Sequence, residues 1–94
     1  MENILNLIEN HQNIRIFSPI NQIEYSFWPY EQVTDLNKAY EVEINVPGYL
    51  AVGSDGGNEM LAINLKTNEI FSIPFIPMDI SNGIKLFNSI NEIT

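Results

Sequence analysis

The chain has 94 residues, enough for one domain and too few for a two-domain enzyme with a cleft between its halves. Twelve Asp and Glu against four Lys and Arg leave a formal net charge of −8, which excludes the basic footprint of a nucleic-acid binder and opposes anionic membrane surfaces. Cysteine is absent, so there is no disulfide framework, no thiolate nucleophile and no cysteine-ligated metal, and a reducing cytoplasm is the expected compartment.

The first residues carry Glu2 where a signal peptide carries positive charge, and no apolar run approaches the ~18 residues needed to span a bilayer. Neither secretion nor membrane insertion is expected. No linker or internal repeat interrupts the chain, so residues 1–94 read as a single domain. Ile4, Leu7, Ile8 and His11 recur at helical spacing and predict a short amphipathic helix over residues 3–12. Ile14 to Phe17 reads as a strand closed by Ser18-Pro19, and Ile23 to Trp28 as a second extended run. Pro29 suits the first turn of a helix and Glu31 its positive end, with Val33, Leu36 and Tyr40 along one face, so a helix is predicted from about Pro29 to Ala39.

From Tyr40 to Val46 the apolar residues Tyr40, Val42, Ile44 and Val46 alternate with Glu41, Glu43 and Asn45, the pattern of a half-buried extended segment exposing two acids. Pro47-Gly48 turns this segment into a hairpin. Tyr49–Ser54 and Glu59–Leu65 flank Asp55-Gly56-Gly57-Asn58, whose glycines accept the positive φ of a two-residue turn. That turn sets Val52 opposite Leu61 and Leu50 opposite Ile63. A three-residue loop of Lys66-Thr67-Asn68, with Asn68 left-handed, then sets Ile63 opposite Phe71 and Leu61 opposite Ile73. Both registers turn Leu50, Val52, Leu61, Ile63, Leu65, Phe71 and Ile73 inward, which predicts an antiparallel meander with one buried face. Ile84 to Phe87 reads as a last short strand, and Ser89-Ile90-Asn91-Glu92 has the spacing of a capping box one turn before the chain ends. The predicted fold class is α+β: an antiparallel sheet of about four to six strands with one or two helices packed on one face.

The run Tyr49-Leu50-Ala51-Val52-Gly53-Ser54-Asp55-Gly56-Gly57-Asn58-Glu59, followed by Ala62-Ile63-Asn64-Leu65 and Glu69-Ile70-Phe71, resembles the signature hairpins of the SUKH superfamily. Gly53, Ser54, Asp55, Gly56 and Gly57 are its most specific part, and they have a structural role. Trp28-Pro29-Tyr30-Glu31 and Asn37-Lys38-Ala39-Tyr40 resemble the helix that precedes the family's sheet. The resemblance implies an α+β binding protein of the cytoplasm. Bacterial members of the family bind a cognate polymorphic toxin, often a nuclease, and block it in the cell that makes it. Members commonly carry a longer N-terminal helical segment with a Leu-Pro motif and an Asp where Asn64 stands, so this chain reads as an abbreviated member. Part of its apolar sheet would then lack cover, which predicts self-association.

The residues offer little for catalysis. His11 is the only histidine, which excludes a His-based acid/base pair, and no Gly-x-Ser-x-Gly elbow occurs. Asp55-Gly56-Gly57-Asn58-Glu59 lacks the spacing of a calcium loop and is explained by a double-glycine turn. Glu41 and Glu43 on an alternating segment read as a solvated face rather than a glycosidase pair. No catalytic residue, metal or cofactor is therefore expected. The candidate partner-binding residues are Trp28 and Tyr30, large aromatics suited to anchoring an interface, and the acids Glu31, Asp35, Glu41, Glu43 and Asp55, which would meet a basic protein toxin. The alternative is a regulatory or scaffold module that binds an endogenous protein.

Overall fold

The computed structural model describes residues 15–89 and Glu92; the helix expected over residues 3–12, with His11, lies outside them. The described chain runs β1 (Arg15–Ser18), β2 (Ile23–Phe27), a 3-10 turn (Tyr30–Gln32), α1 (Val33–Ala39), α2 (Val42–Asn45), β3 (Tyr49–Ser54), β4 (Glu59–Asn64), β5 (Ile70–Pro74), a second 3-10 turn (Ile80–Asn82) and β6 (Ile84–Phe87). The strands form one six-stranded antiparallel meander in the order β1-β2-β3-β4-β5-β6, an α+β fold. Of the C-terminal capping-box segment only Ser89 and Glu92 are described. The Glu92 N–H donates to the Ser89 carbonyl at 3.1 Å, and the Glu92 carboxylate accepts from the Asn88 N–H.

The sheet curls strongly. Tyr25 on β2 donates its hydroxyl to Ser72 Oγ on β5 at 2.6 Å, although two strands lie between them. In a flat sheet, three strand spacings would hold those strands about 14 Å apart. Ser72 Oγ passes the chain on to Glu59 Oε1 at 2.9 Å, while Asn21 Nδ2 donates to the Tyr25 hydroxyl at 3.0 Å. Tyr25→Phe leaves Ser72 its Glu59 partner but strands the Asn21 donor and removes the cross-sheet tie. A loss of about 1–2 kcal/mol in urea unfolding is expected.

Inside the curl, Ile16, Tyr25, Phe27, Val52, Leu61, Ile63, Ile70 and Leu86 pack together, joined by Val33 of α1. Leu50 and Leu65, half-buried, pack against this cluster. A second cluster lies on the outer face, where Ala51, Met60, Ala62 and Ile73 pack against Val42 and Val46, with Trp28, Phe71, Phe75 and Met78 around them. The expectation of one buried face is therefore corrected: the middle of the sheet is buried on both.

Val42 and Val46 supply the outer cover, and a register shift made by turn chemistry changes which β5 residues lie beneath it. Asn64 Oδ1 accepts from the amides of Lys66 and Thr67 at 2.9 and 3.1 Å, and Asn68 N–H reaches the Asn64 carbonyl at 2.7 Å. The loop thus spans Leu65 to Asn68, one residue more than expected, with Asn68 left-handed at φ 67 as predicted. Ile63 then faces Ile70, Leu61 faces Ser72 and Met60 faces Ile73. Phe71 and Ile73 move to the outer face, since a one-residue slip inverts every side chain.

At the β3–β4 turn a similar lengthening is cancelled. Asp55 Oδ1 accepts from Gly57 and Glu59 amides at 2.7 and 3.2 Å, Gly56 takes φ +83, and the loop covers residues 56–58. Gly53 consequently sits opposite Leu61, and a bulge at Val52 restores the expected pairing of Leu50 with Ile63.

The segment from Tyr40 to Val46 departs from its extended prediction. Glu41 adopts φ 56, ψ 43, and the chain then makes a single helical turn in which Val46 N–H reaches the Val42 carbonyl at 2.8 Å. Val42 and Val46, four apart, are buried, whereas Tyr40 and Ile44 are exposed. The two-residue alternation of the sequence contained a four-residue spacing, and burial selected the latter.

Candidate functional site

Between Trp28 and Tyr49 the chain leaves the sheet and forms a helical arm beside β3. β2 pairs with β3 only through Ser26–Ser54 and Phe27–Gly53, extended by the Trp28 N–H to the Val52 carbonyl at 2.9 Å. Beyond that point the edge of β3 is completed by one side chain. The Asn37 carboxamide accepts from the Ala51 N–H and donates to the Ala51 carbonyl, both at 2.8 Å, and donates to Val33 O at 2.7 Å. Asn37 stands in for a neighbouring strand and fixes α1 against the sheet.

This placement leaves a groove of about 440 Å³ between the arm and the base of the β3–β4 hairpin. Its floor is Leu50 and Leu65, the half-buried end of the inner cluster. Lys38, Glu41, Glu43 and Ile44 come from the arm, with Ile44 74% exposed, and Tyr49 lines the sheet side. Glu43 Oε2 accepts a long bond from the Gly48 N–H at 3.4 Å.

Of the sequence-predicted residues, the groove brings together Glu41 and Glu43. Glu31 and Asp35 lie four apart on the same arm, exposed and outside the groove lining. Trp28 and Tyr30 are half-buried, and Trp28 packs against both clusters. Asp55 holds the β3–β4 turn through the bonds given above, and Ser54 Oγ accepts from Gly56 N–H at 3.1 Å, so the Gly53–Gly57 signature builds the hairpin itself. Sequence reasoning did not single out Ile44, and it assigned Leu50 and Leu65 wholly to the core.

A second exposed apolar area lies where Tyr40 of the arm meets the chain that follows β5. Tyr40 stacks on Trp28 at 6.1 Å between ring centroids and meets Phe75 at 4.8 Å, with Ile76 90% exposed beside them.

The charges are unevenly compensated. Among the described residues the ion pairs are Arg15–Glu24 at 3.4 Å and Lys85–Glu69 at 3.3 Å, both on the sheet. The four carboxylates of the arm, Glu31, Asp35, Glu41 and Glu43, face one cation on the arm, Lys38, and none forms an ion pair among the described residues. Two surface acids titrate below their ordinary range: Glu69 through the Thr67 hydroxyl and then Lys85, and Asp79 through the Ser81 amide and hydroxyl. A lowered carboxyl pKa contributes stability above the unfolded value and loses it as pH falls through the folded one. In an NMR titration, T67V and, separately, K85A should therefore each move the Glu69 midpoint upward.

Among the described residues no group of three or more His, Cys, Asp or Glu is arranged to hold a metal ion, and no helix is long and apolar enough to cross a membrane. No protein-family model and no curated protein matches the chain.

Proposed function

We propose that this chain is a non-enzymatic binding protein, an immunity protein that binds and neutralises a cognate basic toxin in the cytoplasm of a bacterium. The observation that supports it is the groove, a half-buried apolar floor with exposed Ile44 at its rim, bordered by charge, which is the character of a protein-binding surface. The likeness of Tyr49–Glu59 to the SUKH signature hairpin supplies the kind of partner. The uncompensated carboxylates of the arm would accelerate encounter with a basic toxin, and buried apolar contacts would slow dissociation.

The test is co-expression with the toxin encoded next to this gene. Restored growth and a co-purifying complex at micromolar concentration are the expected results. Killing that continues with no complex formed ends the reading. The absence of any neighbouring toxin gene, together with binding to an endogenous protein, would move the assignment to a regulatory or scaffold module.

A further inference from the structure

The groove has a chemistry that narrows what can occupy it, and we infer that it takes a partner segment carrying an exposed aliphatic or aromatic side chain flanked by Lys or Arg. This rests on the toxin-binding reading and says which part of the toxin is held. Leu50 and Leu65 are half-buried and continuous with the inner cluster, so an apolar side chain laid on them extends an existing core. Ile44, at the lip, would be covered by the same side chain.

The surroundings of that apolar seat select for positive charge. Glu41 and Glu43 line the groove against the single cation Lys38, Glu31 and Asp35 lie on the same arm, and none of the four acids has an ion-pair partner among the described residues. A basic flank would pair with carboxylates that already stand solvated at the surface. A second copy of this chain, itself of charge −8, is a poor occupant of a groove lined by Glu41 and Glu43, so self-association through an uncovered sheet face would use another surface. A polyanion is repelled for the same reason.

The direct test is an NMR titration of the ¹⁵N-labelled protein with a short peptide alternating leucine with lysine and arginine. One control replaces the basic residues with glutamate, and another replaces the leucines with serine. The basic-apolar peptide should shift the amides of Thr34, Asn37, Ile44, Leu50 and Leu65, and neither control should. E41Q/E43Q and, separately, I44D should weaken binding at least about fivefold, a loss on the order of 1 kcal/mol. Shifts centred on Phe75 and Ile76, equal binding of the glutamate peptide, or silence at roughly 5 mM peptide overturn the inference.

With the toxin in hand, the two ideas separate. Neutralisation that survives both E41Q/E43Q and I44D unchanged removes the groove and leaves toxin binding standing. If no toxin binds at all, the function is lost, and the peptide titration still decides the groove.

Discussion

Gly53→Ala is expected to remove a large part of the folding stability of this domain. A Cβ at Gly53 would overlap the Ser26 carbonyl oxygen, and it would lie 3.0 Å from the Ser26 carbonyl carbon and 3.2 Å from Phe27 Cα. All three obstacles are backbone, so no side chain can swing aside. Relief requires β2 to separate from β3, and those strands are joined by only two residue pairs and the Trp28–Val52 bond. The loss should be roughly 3–5 kcal/mol, a large share of the 5–15 kcal/mol that keeps a small domain folded. In a domain of this size that lowers Tm by about 15 °C or more. Gly57→Ala is the control. The new Cβ meets only Asp55 Oδ1 at 3.6 Å, an ordinary contact, so a change within about 0.5 kcal/mol is expected. Equal stability of the two variants would refute the close approach of β2 and β3.

The second large effect is expected at Asn37. Asn37→Ala removes both partners of a buried residue's backbone, leaving the Ala51 N–H and carbonyl without them on that edge. Each orphaned group costs about 1–3 kcal/mol, so a total of roughly 2–4 kcal/mol is expected in denaturant unfolding. N37D tests the orientation of the carboxamide. Its size is unchanged and it can still accept from Ala51 N–H, but an ionised carboxylate cannot donate to the Ala51 and Val33 carbonyls. Those carbonyls should raise the carboxyl's pKa in the folded state. The variant is then most stable below the unfolded pKa and loses stability as pH rises through the folded one. A pH-independent N37D would show that the donor side of the clamp contributes nothing.

The course of the chain was readable wherever one local rule governed it. Ile23–Phe27, the helical start at Pro29, the Pro47-Gly48 turn, left-handed Asn68 and the short strand near Ile84 all stand within a residue or two of their expected places. Reading failed where a side chain competed with hydrophobic alternation. Asn64 lengthened a loop by binding two amides and moved Phe71 and Ile73 to the other face. Nothing in the apolar pattern disfavours that slip, because Ile70 fills the inner position that Phe71 vacates. Tyr40–Val46 satisfies alternation and four-residue spacing equally, and only the outer cluster that receives Val42 and Val46 decides between them.

The candidate site was half legible for a related reason. Acids are visible in a sequence, and Glu41 and Glu43 were found that way. A groove is not visible, because Leu50 and Leu65 read as core until the arm is seen to stop short of covering them. The carboxamide that sets the arm's position belongs to Asn37, one asparagine among many polar helix residues, with no spacing to mark it.

The double burial of β4 has a consequence for how this protein tolerates change. Met60, Leu61, Ala62 and Ile63 are consecutive and all fully buried, two toward the interior of the curl and two toward the outer cluster. Among variants that remain folded, the usual strand rhythm, in which every second position accepts a charge, should vanish over these four residues. Drift would concentrate instead on β1, where Arg15 and Phe17 face water between buried Ile16 and Ser18. One sheet would thus carry two substitution records, an unbroken conserved block at its centre and a strict every-other-residue pattern at its rim.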